Sequence, residues 1–338
     1  MLFRSVSQSR YVEVSKRIWQ ILEDSSRYSF NSSHSLSVAT DSLYTAYLKA
    51  HYPIYFYEQL LQILEEKGEK DRLLRAKAEA QKHFKIVFPP MKFGQDNTKI
   101  LANKEKNEIT MSMSTLKGFG NSVSESLFEL SKKFKGDDIV DLFVFAVENG
   151  YFSSSKWEKL IQIGYFSDFG GGRRVLNFFN EFTSGKSKYG LKLKDKTKEK
   201  RIEELKIIWN SIPNNDFTIG EKVRNEVSVI GEIRSKFPVD KRYFFVLDVD
   251  DEKSGNQYSP KVTLHSLRSG YADTLKISKK KYFPLSAGDM VICHDFEKKP
   301  AVKKIDGEWV EIPETFNWWI RDYEKMREAD IITMREEK

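Results

Sequence analysis

The chain has 338 residues, 40% of them hydrophobic and 13% aromatic, enough for two or three domains with packed cores and too apolar for wholesale disorder. Its 56 Lys and Arg against 49 Asp and Glu leave a formal charge of +7, a mild bias towards polyanions. The single cysteine, Cys293, excludes an intrachain disulfide and a cysteine-rich zinc site and fits a reducing compartment. The histidines are scattered, no apolar run reaches the ~18 residues of a membrane helix, and "MLFRSVSQSR" lacks the apolar core of a signal peptide. A soluble cytoplasmic protein without membrane contact is expected.

Val14, Ile18, Ile21 and Leu22 recur at helical spacing within 11–24. After "YSFNSSHS", residues 36–49 form a second predicted helix, and "AHYPIYFYEQLLQILEEKG" opens a third with Pro53 in its first turn and Gly68 at its end. "EKDRLLRAKAEAQKHFKI" is a fourth. Pro89 and Pro90 then break helix, and short strands are expected at 97–101 and 108–113 around "NKEKN". The segment 1–107 is therefore helical with a small hairpin.

From 114 come a glycine turn and further helices, with Ser122/Glu125 and Ser155/Glu158 at capping-box spacing. Residues 108–183 form one helical module. Residues 184–206 are dominated by lysine with few apolar anchors and read as a linker or an exposed helix start, so 184–222 is expected as a lysine-rich connector. Period-two patterning follows, with a hairpin signal at Asp306-Gly307. It predicts a small barrel of the OB type over 223–315 and leaves 316–338 as a C-terminal helix and tail. The fold class is thus α+β and multidomain.

"LKGFGNSVSESL" at 116–127 has the form of a helix-hairpin-helix turn. Gly118 and Gly120 allow a tight turn, Phe119 anchors it, and Lys117 and Asn121 flank amides that can approach a phosphate at a helix start. Such contacts hold duplex backbone without reading sequence; the alternative is a connector between packed helices. "DFGGGRRVL" at 168–176 offers a second phosphate contact through Arg173 and Arg174, or a turn with solvated arginines. Asp248 and Asp250 in "LDVDDE" could hold a divalent metal, but their neighbours have turn composition and favour a solvated strand end. Lys279, Lys280, Lys281, Lys298 and Lys299 lie among Tyr243, Phe244, Phe245, Tyr271, Tyr282 and Phe296, a mixture suited to single-stranded nucleic acid.

The order of these parts resembles the bacterial family C DNA polymerases, the polymerase III alpha subunits. The resemblance is densest from about 11 to 180 and continues in order through 315. It implies the end of a fingers domain, a tandem helix-hairpin-helix module and an OB domain. By resemblance Asn31, Ser33 and His34 lie near the triphosphate of an incoming nucleotide, although Ser32 stands where the family usually has lysine. No segment looks like the family's palm with its catalytic carboxylates, and no clamp-binding peptide stands out between 184 and 222. The resemblance therefore implies duplex and single-stranded DNA as ligands, no catalytic residue, metal or cofactor in this chain, and Mg²⁺ only beside a palm-bearing partner. A free-standing DNA-binding accessory protein is the first alternative. A metal-dependent nucleotidyl enzyme using Asp248 and Asp250 is the second.

Overall fold

The computed structural model describes residues 8–27, 32–251, 259–278, 282–305 and 308–334. It divides into two units, residues 1–87 with 102–108, and 88–101 with 109–338. No described helix is long and apolar enough to cross a membrane.

The first unit contains α1 (Gln8–Arg27), α2 (Ser32–His51), α3 (Pro53–Glu66) and α4 (Lys70–Phe84). Pro53 occupies the first helical turn of α3, where its missing N–H costs nothing. Tyr57, Leu61 and Leu64 of α3 and Leu73, Ala76 and Ala80 of α4 are buried where these helices pack together. Lys49 of α2 pairs with Glu79 of α4 at 2.6 Å. A left-handed Lys85 ends α4, and the Asn107 side chain donates to the freed carbonyls of Phe84 and Lys85. By contrast, Val14, Ile18, Trp19, Ile21 and Leu22 leave one side of α1 apolar and exposed.

The small hairpin pairs β1 (Leu101–Asn103) with β2 (Glu108–Thr110). In the second unit, α5 (Asn121–Lys133), α6 (Ile139–Glu148), α7 (Ser154–Gln162) and α8 (Gly172–Thr183) enclose an aromatic core. Phe143 of α6 lies at its centre, with the rings of Phe152, Trp157, Phe166, Phe178, Phe179 and Phe182 at centroid distances of 4.9 to 6.4 Å. Each such ring buries on the order of 150–250 Å², so this cluster contributes much of the apolar burial of the second unit.

The stretch 184–222 is largely helical. It forms α9 (Asp195–Ser211) and the start of α10 (Ile219–Val229). Two anchors one helical turn apart, Leu205 and Trp209, suffice to dock α9, with Trp209 5.5 Å from the Phe178 ring. Two of its lysines are also tied down, Lys198 to Glu148 and Lys206 to Asp141. Capping differs too. Ser122 and Ser155 are each the second residue of their helix, so neither can cap it. The capping box is Thr218 with Glu221, at the start of α10.

Five strands close into a barrel: β3 (Tyr243–Asp250), β4 (Lys261–Ser266), β5 (Ala272–Ile277), β6 (Met290–Ile305) and β7 (Glu308–Lys325), in the order β3-β4-β5-β7-β6. All pairings are antiparallel except β5 with β7. The barrel thus starts later than 223 and extends beyond 315. "FNWWIRDYEK", expected as helix, is the second half of β7, its Ile320 filling the interior beside Val246, Leu264, Leu275 and Val291. Adjacent aromatics there suit a pleated strand, which sends neighbours to opposite faces. A second core lies outside the barrel, where Phe245, Leu267 and Met290 meet Ile219 and Val223 of α10 and Ile331 of α11 (Glu328–Thr333). Arg224 pairs with Glu328 across the two helices.

Candidate nucleic-acid interface

Residues 117–122 form a sharp turn into α5. Gly118 has φ 84°, a left-handed conformation that a side chain would strain. Phe119 is buried and fixes the turn to the interior. Gly120 is the N-cap at φ −115° and ψ 171° and contributes no side chain to the helix start. Among the described residues the amides of Asn121 and Ser122 meet no acceptor, and both residues are exposed. These are the free donors of a helix start, at the positive end of its dipole.

Long-range contacts hold the turn. The Lys117 amide donates to Val229 O at 2.9 Å and its ammonium to Val227 O at 3.2 Å, both at the end of α10. Gly231, at φ 94°, leaves room for the Lys117 stem. Glu226 accepts from the amides of Arg234 and Ser235 and so ties the segment after α10 back onto that helix. Lys159 of α7 donates to Lys117 O at 3.3 Å and its ammonium lies next to Gly118. Two ammonium groups therefore flank the turn. Lys159 carries no sequence signal of its own, since "SSKWEKLIQ" reads as an ordinary amphipathic helix.

The second glycine turn is built differently. The amides of Gly171 and Gly172 donate to Asn214 Oδ1 at 2.8 Å and Asp216 Oδ1 at 3.0 Å, and a Cβ on either glycine would collide with Asn215 or Phe217. Burial raises the Asp216 carboxyl, but Lys222 and the amides of Phe217 and Gly172 outweigh it and hold the group below its usual range. Arg173 pairs with Glu221 and lies over the Phe217 ring. Arg174 lies 3.8 Å from the Trp209 ring centre and donates to Trp209 O at 2.9 Å. Both guanidinium groups join α8 to the segment 209–221, and the glycines allow the close approach.

No protein-family model matches the chain. Over 243 residues it is 26% identical to the DNA polymerase III subunit alpha of Campylobacter jejuni, covering 70% of this chain and 20% of that protein. The subunit alpha of Ureaplasma parvum is 30% identical over 166 residues, 49% of this chain and 17% of that protein, and that of Aquifex aeolicus 28% over 151, 45% and 13%. The chain is a relative of the DNA polymerase III alpha subunits. It spans about a fifth or less of the length of these three relatives.

The other candidate residues of this polymerase relative are distributed as follows. His34 is exposed near the start of α2; Asn31 lies outside the described residues, as does the side chain of Ser33. Asp248 and Asp250 point outward at the end of β3, where Asp250 pairs with Lys261 at 3.7 Å. Among the described residues no group of three His, Cys, Asp or Glu could hold a metal ion. Alternation alone does not decide which face of "RYFFVLDV" is open. In the fold both faces are covered: Tyr243 and Phe245 pack towards α10 and α11, and Phe244 packs into the barrel against Phe296. Tyr282 is half-buried and donates to Asp251. Tyr271 is exposed beneath Lys236. Lys279, Lys280, Lys281 and the Asp306-Gly307 turn lie outside the described residues.

Proposed function

We propose that this chain is a DNA-binding portion of a family C polymerase-like protein acting in replication. In this reading a helix-hairpin-helix module grips primer-template duplex through backbone phosphates, and an OB-type barrel holds the single-stranded template. The observation that carries it is the α5 start: an uncapped helix end behind a left-handed glycine, flanked by Lys117 and Lys159, in a relative of DNA polymerase III alpha subunits. Amides at a helix start bind phosphate through both hydrogen bonds and the dipole. The strand order with its parallel β5–β7 closure supports the OB-type reading.

On the same reading the first unit is the end of a fingers domain, with Asn31, Ser33 and His34 facing a nucleotide triphosphate. The exposed apolar side of α1 fits a protein contact, for which a palm-bearing polymerase segment is the proposed partner. Mg²⁺ would be held there and not by residues of this chain. A cytoplasmic location accords with this role.

Fluorescence anisotropy of the full chain with a mixed-sequence duplex tests the reading. We expect binding with little sequence preference and a log–log salt slope near −0.9 for each phosphate neutralised. Absence of duplex binding at low salt would overturn it.

A further inference from the structure

The β6–β7 hairpin runs on past the barrel that it closes. As far as Phe296 opposite Ile320, its inward face lines the interior. Beyond that pair the register sets Lys298 opposite Trp318 and Pro300 opposite Phe316. Alternate residues of a strand share a face, so these four prolong the inward face beyond the core. There Trp318 is 44% and Phe316 49% exposed, and the Lys298 ammonium lies 4.1 Å from the Phe316 ring centre. Along 296–300 and 316–320 this face carries no carboxylate. The reverse face is already occupied: Trp319 is half-buried between Lys276 and Lys299, and Glu297 pairs with Arg321.

We propose that the ridge of Phe316, Trp318 and Lys298 is a binding surface for single-stranded DNA. The inference rests on the DNA-binding reading above and supplies the surface for its single-stranded half. Two exposed rings two residues apart on one strand stand about 7 Å from each other, each open to the flat face of an unpaired base. Base–aromatic stacking tolerates any sequence, because every base has a π-face. Lys298 supplies the charge for the adjoining phosphate, and along 296–300 and 316–320 no acid on this face opposes it. A duplex keeps its base faces stacked internally and cannot use the rings in this way.

The test uses the full chain, a labelled oligo(dT) and a labelled duplex. Trp318→Ala and Phe316→Ala should each weaken oligo(dT) binding by about five- to a hundredfold and leave duplex affinity unchanged. Trp318→Phe should retain most of the single-strand affinity. Lys298→Gln should reduce the log–log salt slope for oligo(dT) by about 0.7. Far-UV circular dichroism and thermal melting establish that each variant is folded. Wild-type affinity for oligo(dT) in folded Trp318→Ala and Phe316→Ala would overturn the ridge and leave the duplex reading standing. So would losses of equal size on duplex and single strand. If the parent chain bound neither DNA, the broader reading would fail instead. Self-association removed by Trp318→Ala, with oligo(dT) binding intact, would make the ridge a protein contact.

Discussion

Replacing Gly120 by aspartate should move stability and DNA affinity in opposite directions. The backbone there, φ −115° and ψ 171°, is open to any residue, and a Cβ meets nothing within 4 Å. The aspartate is therefore free of strain and becomes a proper N-cap, accepting from the amide of Ser122, which with that of Asn121 is free at this helix start. Its charge also lies at the positive end of the α5 dipole, worth about 0.3–1 kcal/mol. Stability should rise by up to about 1 kcal/mol, or roughly 2–4 °C in Tm. If those amides hold phosphate, the same carboxylate displaces a charge-assisted contact worth about 1.5–3 kcal/mol. Duplex affinity should then fall by one to two orders of magnitude, more steeply at low salt because like charges now face each other. Scanning fluorimetry and anisotropy at fixed salt read the two effects on one sample. A raised Tm with unchanged duplex affinity would refute the phosphate role of the α5 start. Gly118→Ala is the contrasting control: at φ 84° it should cost about 1–2 kcal/mol of strain whatever binds there.

Two further outcomes separate structural groups from binding groups. Arg174→Ala removes the cation over Trp209 and the hydrogen bond to its carbonyl. Denaturant unfolding should show a loss of about 1–3 kcal/mol, while duplex affinity, measured where the variant is folded, stays within twofold. His265 is buried, with no partner for its Nε2 among the described residues. Burial holds its pKa below the ordinary 6.5, although Glu232 works in the opposite sense. The unfolded chain therefore binds more protons below pH 6.5, so this contribution is complete above that value and is lost as pH falls through it towards the folded pKa. Melting temperature followed from about pH 7 to 5 should decline less steeply in His265→Gln than in the parent chain.

What was legible in the sequence was what depends on neighbours in the sequence. The Gly118–Gly120 turn, the break at Pro89-Pro90 and the helix opened by Pro53 are local, and each lies where its residues put it. The contacts of Arg173 and Arg174 were not legible, because Glu221 and Trp209 lie 48 and 35 residues downstream. Nothing in "GGGRR" distinguishes a guanidinium bound for phosphate from one bound for a tryptophan ring. Lys159 was hidden for the same reason, since its partner is the Lys117 carbonyl, 42 residues away. The misreading of 316–325 has another cause. Adjacent aromatics and charges obscure the two-residue period there, and only the pairing with β6 separates Trp318 from Trp319.

The parallel contact of Lys276 and Ile277 with Trp319 and Ile320 is what shuts the barrel. β3, β4 and β5 come off the ribosome first and can form only an open three-stranded meander. Its two outer strands wait with unpaired backbone for β6 and β7, the kind of edge that recruits other chains. Pairings distant in sequence are also slow to form. The barrel's hazard is therefore one of timing, confined to the interval between synthesis of residue 277 and arrival of residue 320. The buried Val246, Leu264 and Leu275 would be the first apolar side chains open to capture by a neighbouring nascent chain.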